Sequence, residues 1–161
     1  MSLYFEEEGA LQLPLPCEEL AKRVIDAALD YVGCPYEAQV NLLLTTNEQI
    51  HEMNLQFRGI DRPTDVLSFP MVEYGEPGNF DFLEEREDCF DPESGELVLG
   101  DIVISKDKVL EQAQVGRELG RGLRDARQGR ECLRVDLARI GLTGNRHHAC
   151  KAEIVRNAFF Q

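Results

Sequence analysis

The stretch Leu97-Val-Leu-Gly-Asp-Ile-Val-Ile-Ser105 is the strongest strand signal in the chain. Aliphatic and β-branched residues fill it almost completely, as is typical of a buried strand. A second short apolar run, Gln39–Thr45, is bounded by turn-forming residues and predicts another mostly buried strand. These two segments predict two strands of one sheet.

The neighbouring segments alternate between helical and extended patterns. Cys17–Val32 carries apolar residues at the i, i+3/i+4, i+7 spacing of an amphipathic helix. Thr46-Asn-Glu-Gln49 is a capping-box signature that opens a second helix, and Ser105 caps a third. Leu3–Phe5 and Val66–Phe69 predict short strands. The alternation indicates an α/β (α+β) fold, with a single mixed β-sheet and packed helices.

The composition is that of one globular domain. The chain has 161 residues, of which 43% are hydrophobic and 29% charged, which argues against wholesale disorder. The net charge of −13 excludes a general attraction of the surface to nucleic acid or anionic membrane, so such a partner needs a local basic patch or a metal.

The sequence predicts a cytoplasmic protein without a membrane span. No apolar run reaches the ~20 residues that cross a bilayer. The segment Met1–Glu8 is acidic, whereas a secretory signal begins with basic residues. The five cysteines form no Cys-x-x-Cys pair, so we expect reduced thiols packed as small apolar residues.

Charge is distributed unevenly along the chain. Residues 1–112 hold 25 acids and 7 bases, whereas residues 113–161 hold 5 acids and 10 bases, nine of them arginines. Three interpretations of this basic tail stay open: an arm that binds RNA, an exposed helix with solvated arginines, or a stretch that is out of frame. Residues 73–97 hold ten acids and one base and predict a long acidic loop or lid.

The segment Asn54-Leu-Gln-Phe-Arg-Gly-Ile-Asp-Arg-Pro-Thr-Asp-Val-Leu-Ser-Phe-Pro70 is the most informative for function. The guanidinium of Arg58 suits a phosphate or a carboxylate. Thr64 and Asp65 suit hydrogen bonds to the loop backbone. The residues alone favour a turn braced by an Arg–Asp pair over a functional site.

Asp101 and the histidines are the other residues that chemistry could use. An acid inside an apolar strand needs partners; Asp101 either accepts from nearby backbone N–H groups or orients a metal ligand or an arginine. The histidines are His51, His147 and His148. None has a second histidine at i+4, and adjacent helical residues point about 100° apart, so their spacing does not predict a zinc site.

The segments 54–70 and 99–105 together resemble the YbeY family. The similarity lies in the Asn-x-x-Phe-Arg-Gly-x-x-x-Pro-Thr-Asp-Val-Leu-Ser-Phe-Pro block and the Leu-Gly-Asp-Ile-x-Ile strand, and it covers roughly residues 20–113. The resemblance implies a metal-dependent endoribonuclease of single-stranded RNA. It further implies a role in 16S ribosomal RNA 3′-end maturation and ribosome quality control with the small ribosomal subunit, and neither DNA nor membrane as a partner.

By motif match, the resemblance makes Arg58 the catalytic arginine near the cleft and a phosphate contact. Asp65, Ser68 and Asp101 match positions that shape the substrate cleft. The family uses zinc, which lowers the pKa of a bound water for attack on phosphorus, held by a His-x3-His-x5-His pattern. That pattern does not occur here, since no histidine lies between residues 52 and 146; no metal ligand is assigned.

The predicted organisation is therefore a single YbeY-like domain over residues 1–161. Residues 1–113 match the family, and residues 114–161 form a divergent or out-of-frame tail. An alternative function is a non-catalytic relative whose arginine-rich tail binds RNA, with an affinity that falls with salt and no cleavage. A third is an interaction protein whose acidic 73–97 loop binds a basic partner.

Overall fold

The computed structural model describes residues 1–72 and 79–114. Four strands form one sheet: β1 (Ser2–Glu7), β2 (Ala38–Thr45), β3 (Val66–Pro70) and β4 (Leu97–Ser105), in the order β1-β2-β4-β3. The pairs β1–β2 and β2–β4 are parallel, and β3 runs antiparallel to β4. The predicted single mixed sheet is confirmed.

Within residues 1–72 and 79–114, three helices accompany the sheet: α1 (Cys17–Val32), α2 (Asn47–Arg58) and α3 (106–114). Both predicted helix starts are present, because Thr46 forms a complete capping box with Gln49 and the Ser105 hydroxyl accepts from the backbone N–H of Lys108 at 3.2 Å. None of the helices within the described ranges is long and apolar enough to cross a membrane.

The main core lies between one face of the sheet and α1. Alternate residues of β2 face this core and are buried, namely Ala38, Val40, Leu42 and Leu44. Ile25 and Ala28 of α1 pack against the same cluster. A second, smaller cluster of Ile50, Leu67 and Val103 lies on the other face, beneath α2. The second face is therefore less completely covered by the described residues than the first.

The acidic segment, predicted as a long loop or lid, contains short helical turns and contributes to the core. Its described part forms two short 3-10 helices, Asp81–Glu85 and Glu87–Cys89. Phe80, Leu83 and Cys89 are buried in the main core, because apolar residues are spaced among the acids. Residues 73–78 lie outside the described part of the chain.

The N-terminal strand is joined to α3 by a buried lysine. Lys106 has no exposed surface, and its Nζ donates to Glu7 Oε1 at 3.0 Å and to the carbonyl of Leu11. β1 spans six residues rather than the three predicted, since it pairs with β2 along its whole length.

The cysteines in the described ranges are reduced, as predicted. Cys17, Cys34 and Cys89 are free and pack in or against the main core. Burial raises the pKa of the Cys17 and Cys34 thiols, which keeps them in the protonated form. Cys132 and Cys150, like the predicted tail after residue 114, lie outside the described residues.

Candidate functional site

A cleft with a volume of about 700 Å³ opens on the α2 face of the sheet. It is lined by the strands and by two side chains of α2, Met53 and Phe57. One row of residues crosses its floor in register from strand to strand: Tyr4 on β1, Asn41 on β2, Asp101 on β4 and Phe69 on β3. Residues paired between neighbouring strands point to the same face, so the row presents two aromatic groups around a polar pair.

The polar pair is a direct hydrogen bond between Asn41 and Asp101. The Asn41 Nδ2 amide donates to Asp101 Oδ1 at 2.7 Å, and both residues are half-buried. The partner of Asp101 is thus a side-chain amide. Of the predicted partners, neither a backbone N–H nor an arginine is found in the hydrogen bonds of the described residues, and the orientation of a metal ligand stays a prediction. Sequence reasoning missed Asn41, although a polar residue inside an apolar strand is the same signal that singled out Asp101.

Aromatic rings line both ends of the floor. The rings of Phe57 and Phe69 meet edge to face, with centroids 5.0 Å apart and an interplanar angle of 68°. Phe57 is 60% exposed and Tyr4 is 57% exposed. Both therefore present apolar surface to a ligand in the cleft.

Arg58 follows Phe57 as the last residue of α2 and is exposed. The predicted brace between arginine and aspartate is wrong for the described residues, where no ion pair joins Arg58 to Asp61 or Asp65. The position explains this, since the carbonyl end of a helix itself favours a cation in the last turn. The guanidinium is consequently available to a ligand.

Asp65 instead stabilises its loop by a hydrogen bond to the backbone, as predicted. Its Oδ1 accepts from the Val66 N–H at 3.0 Å, and its Oδ2 accepts from Gln112 Nε2 at 3.3 Å. Asp65 thereby connects the start of β3 to α3. Its predicted role at the substrate cleft stays a prediction.

Ser68 lies on the opposite face of the sheet from Asp101. It pairs in register with Ile102, whose side chain belongs to the main core. The structure therefore brings Asp101 into the cleft and places Arg58 beside a cleft residue, but it does not bring Ser68 to the same surface. The predicted roles of these residues remain predictions.

Asn54 holds the loop that follows Arg58. Its side chain is 1% exposed, and Nδ2 donates to the carbonyl of Arg62 at 2.7 Å. This bond fixes the loop between α2 and β3, so the loop that follows Arg58 has a defined position. The Asn54 Oδ1 atom is buried and has no hydrogen-bond partner among the residues that the structure describes.

The described residues do not fit the zinc site that the family resemblance implies. Across residues 1–72 and 79–114, no three His, Cys, Asp or Glu side chains lie close enough to hold a metal ion. His51 is engaged by Asp61, with 2.7 Å between Nε2 and Oδ1. His147 and His148 lie outside the described part of the chain.

The sheet, its helices and the cleft define an α/β domain with a binding site on one sheet face. Comparison with known proteins then gives the family. A family profile described as Endoribonuclease YbeY matches residues 5–122. The chain belongs to the YbeY family, and the resemblance inferred from residues 54–70 and 99–105 is confirmed.

Similar curated proteins carry the same name, Endoribonuclease YbeY. The one from Lachnoclostridium phytofermentans is 55% identical over 115 residues, which is 71% of this chain and 70% of the relative. That from Agathobacter rectalis is 54% identical over 114 residues, 70% of this chain and 69% of the relative. The Lachnospira eligens protein is 47% identical over 118 residues, 70% of each chain.

Proposed function

We propose that this protein is an endoribonuclease that acts on single-stranded RNA, and that its substrate is the 3′ end of 16S ribosomal RNA. The family supports the activity, since its relatives are named endoribonucleases. The proposal includes action at the small ribosomal subunit in ribosome quality control. It places the protein in the cytoplasm, where that RNA is processed.

The observation that carries this proposal is Arg58, an exposed arginine without an ion pair among the described residues, which directly follows the cleft residue Phe57. A guanidinium binds phosphate oxygens in a two-pronged geometry and stabilises charge that develops there during attack. Unpaired bases stack on exposed aromatic rings such as those of Phe57 and Tyr4. An arginine next to such rings matches the alternation of phosphate and base along an RNA strand.

Zinc would supply an activated water for attack on phosphorus in the family mechanism. The described residues do not provide its ligands, so Arg58 and the cleft account here for RNA binding and orientation.

A second candidate function is RNA binding without hydrolysis. The sequence favours it through one observation, the absence of the His-x3-His-x5-His pattern from the whole chain. The basic segment 117–139 would add salt-dependent contacts to phosphates in this case.

The test combines binding and cleavage of a labelled single-stranded RNA by the purified full chain. We expect Arg58→Ala to weaken binding about 10-fold through loss of a phosphate contact. Arg23→Ala is the matched control, because Arg23 is an exposed arginine of α1, which packs on the other face; we expect no change.

The outcomes separate the two functions. Short RNA fragments that the wild-type chain produces, and that Arg58→Ala produces in smaller amounts, would support the endoribonuclease function. Binding without fragments would support the second candidate, and no binding by the wild-type chain would contradict both. Circular dichroism of each variant checks that the loss does not come from unfolding.

A further inference from the structure

We propose that the cleft selects an unpaired guanine of the RNA, by accepting hydrogen bonds from the guanine N1–H and N2–H₂ groups at the carboxylate of Asp101, which Asn41 holds in position. This inference rests on the proposed function, in which the cleft binds single-stranded RNA. It adds a base preference and two specificity-determining residues to that function.

The hydrogen bond to Asp101 fixes the orientation of the Asn41 side-chain amide. A carboxylate only accepts hydrogen bonds, so the Asn41 group that faces Asp101 must be the Nδ2 amide. The observed 2.7 Å contact has this orientation. The Asn41 Oδ1 acceptor is consequently turned away from Asp101.

The carboxylate of Asp101 keeps free acceptor capacity. Within the described residues, the Asn41 amide is the only hydrogen-bond partner of this carboxylate, so Oδ2 and the second lone pair of Oδ1 have none. Both residues line the cleft. The two oxygens of Asp101 therefore offer neighbouring acceptors to a ligand.

The four bases differ in the hydrogen-bonding groups on their Watson–Crick edges. Guanine alone presents two adjacent donors, N1–H and N2–H₂, on its Watson–Crick edge. Adenine and cytosine each place an acceptor beside their amino group, and uracil has one donor between two carbonyls. A carboxylate, which only accepts, thus matches the two donors of guanine and meets an unfavourable acceptor on every other base.

The surroundings favour a base over a phosphate. Tyr4 and Phe69 lie one strand away on either side of the Asn41–Asp101 pair, so aromatic side chains flank the polar pair. Glu6 also lines the cleft, and together with Asp101 it repels a phosphate. The cleft volume of about 700 Å³ lies within the range of small-molecule pockets.

The test measures binding of short oligouridine RNAs that carry one variable residue. We expect guanosine to bind about 10-fold more tightly than adenosine, as for a good two-pronged base contact. Inosine, which lacks the 2-amino group, should lose part of this preference, and 7-deazaguanosine, which changes the opposite edge, should keep it. Equal affinity for guanosine and adenosine RNA would overturn the inference while leaving the proposed function intact.

Variants test the two residues directly. Asp101→Asn should abolish the guanosine preference, whereas the double variant Asn41→Asp/Asp101→Asn keeps an amide–carboxylate pair and should restore it. Asp30→Asn, the same change at an exposed site on α1, is the matched control and should keep the preference. A guanosine preference that survives Asp101→Asn in a folded protein would overturn the inference. The absence of binding to every RNA would overturn both the inference and the proposed function.

Discussion

Gly100 shows how one residue permits the pairing of β3 with β4. Its φ is 125°, a conformation that residues with a side chain rarely adopt. A Cβ at this position would collide with the carbonyl oxygen of Phe69 and lie 2.9 Å from the backbone nitrogen of Met71. The close approach of the two backbones beside Asp101 therefore requires glycine.

Replacement of this glycine should be costly. We expect Gly100→Ala to lower the free energy of unfolding by about 3 kcal/mol or more, since strained backbone and a clash add together. Gly95→Ala is the control, because Gly95 has a φ of 71° but open space around it, and should cost about 1 kcal/mol. Equal denaturation midpoints for the two variants would refute this explanation.

The sequence singles out Arg58, Asp65 and Asp101, but it does not identify Asn41 as the partner of Asp101. The aspartate partner that it suggests for Arg58 is not found among the described residues. The Asn41–Asp101 bond joins residues 60 positions apart. Its formation depends on the register of β2 and β4, which shifts between Gln39 and Val40. No local pattern encodes that shift, so the polar pair of the cleft emerges only from the folded sheet.

Between elements, the buried ion pair of Lys106 and Glu7 joins α3 to β1. Lys106 is fully buried, whereas the Glu7 side chain is 31% exposed. Removal of one partner from a buried pair leaves an uncompensated charge, which is strongly destabilising. Solvent at Glu7 and the second acceptor, the Leu11 carbonyl, reduce that penalty.

We therefore expect Glu7→Gln to lower the free energy of unfolding by about 1–3 kcal/mol. Glu6→Gln, at the exposed neighbouring position, should stay within about 0.5 kcal/mol of the wild type. Urea denaturation of the two variants provides the comparison. A Glu7→Gln protein as stable as Glu6→Gln would show that the ion pair contributes nothing.

The helices and central strands were predictable because their signals are local. Capping at Thr46 and Ser105 and the alternation in β2 act over a few residues. The length of β1 and the burial of Leu83 depend on contacts with distant strands and the core. Those features follow from tertiary packing, which composition does not reveal.

For the whole molecule, family membership and the missing histidine pattern lead to a prediction about metal. A zinc site needs at least three suitable ligands held together. The described residues contain no such group of three ligands. For the second candidate function, RNA binding without hydrolysis, we expect the purified full chain to contain well below one zinc ion per chain by elemental analysis. We also expect added zinc to leave the melting temperature unchanged, because a bound ion would stabilise the fold.

Zinc at one ion per chain, together with a raised melting temperature, would contradict this prediction. Such a result would require ligands that include residues of 73–78 or 115–161, outside the part of the chain that the structure describes.

The central claim is that RNA binds in the cleft on the α2 face of the sheet. The most direct measurement is a titration of the ¹⁵N-labelled full chain with single-stranded RNA, followed by NMR. We expect chemical-shift changes at the Asn41 side-chain amide and at the backbone of Phe57, Arg58, Phe69 and Asp101. Changes confined to the opposite face, along Cys17–Val32, or no change at all, would contradict it.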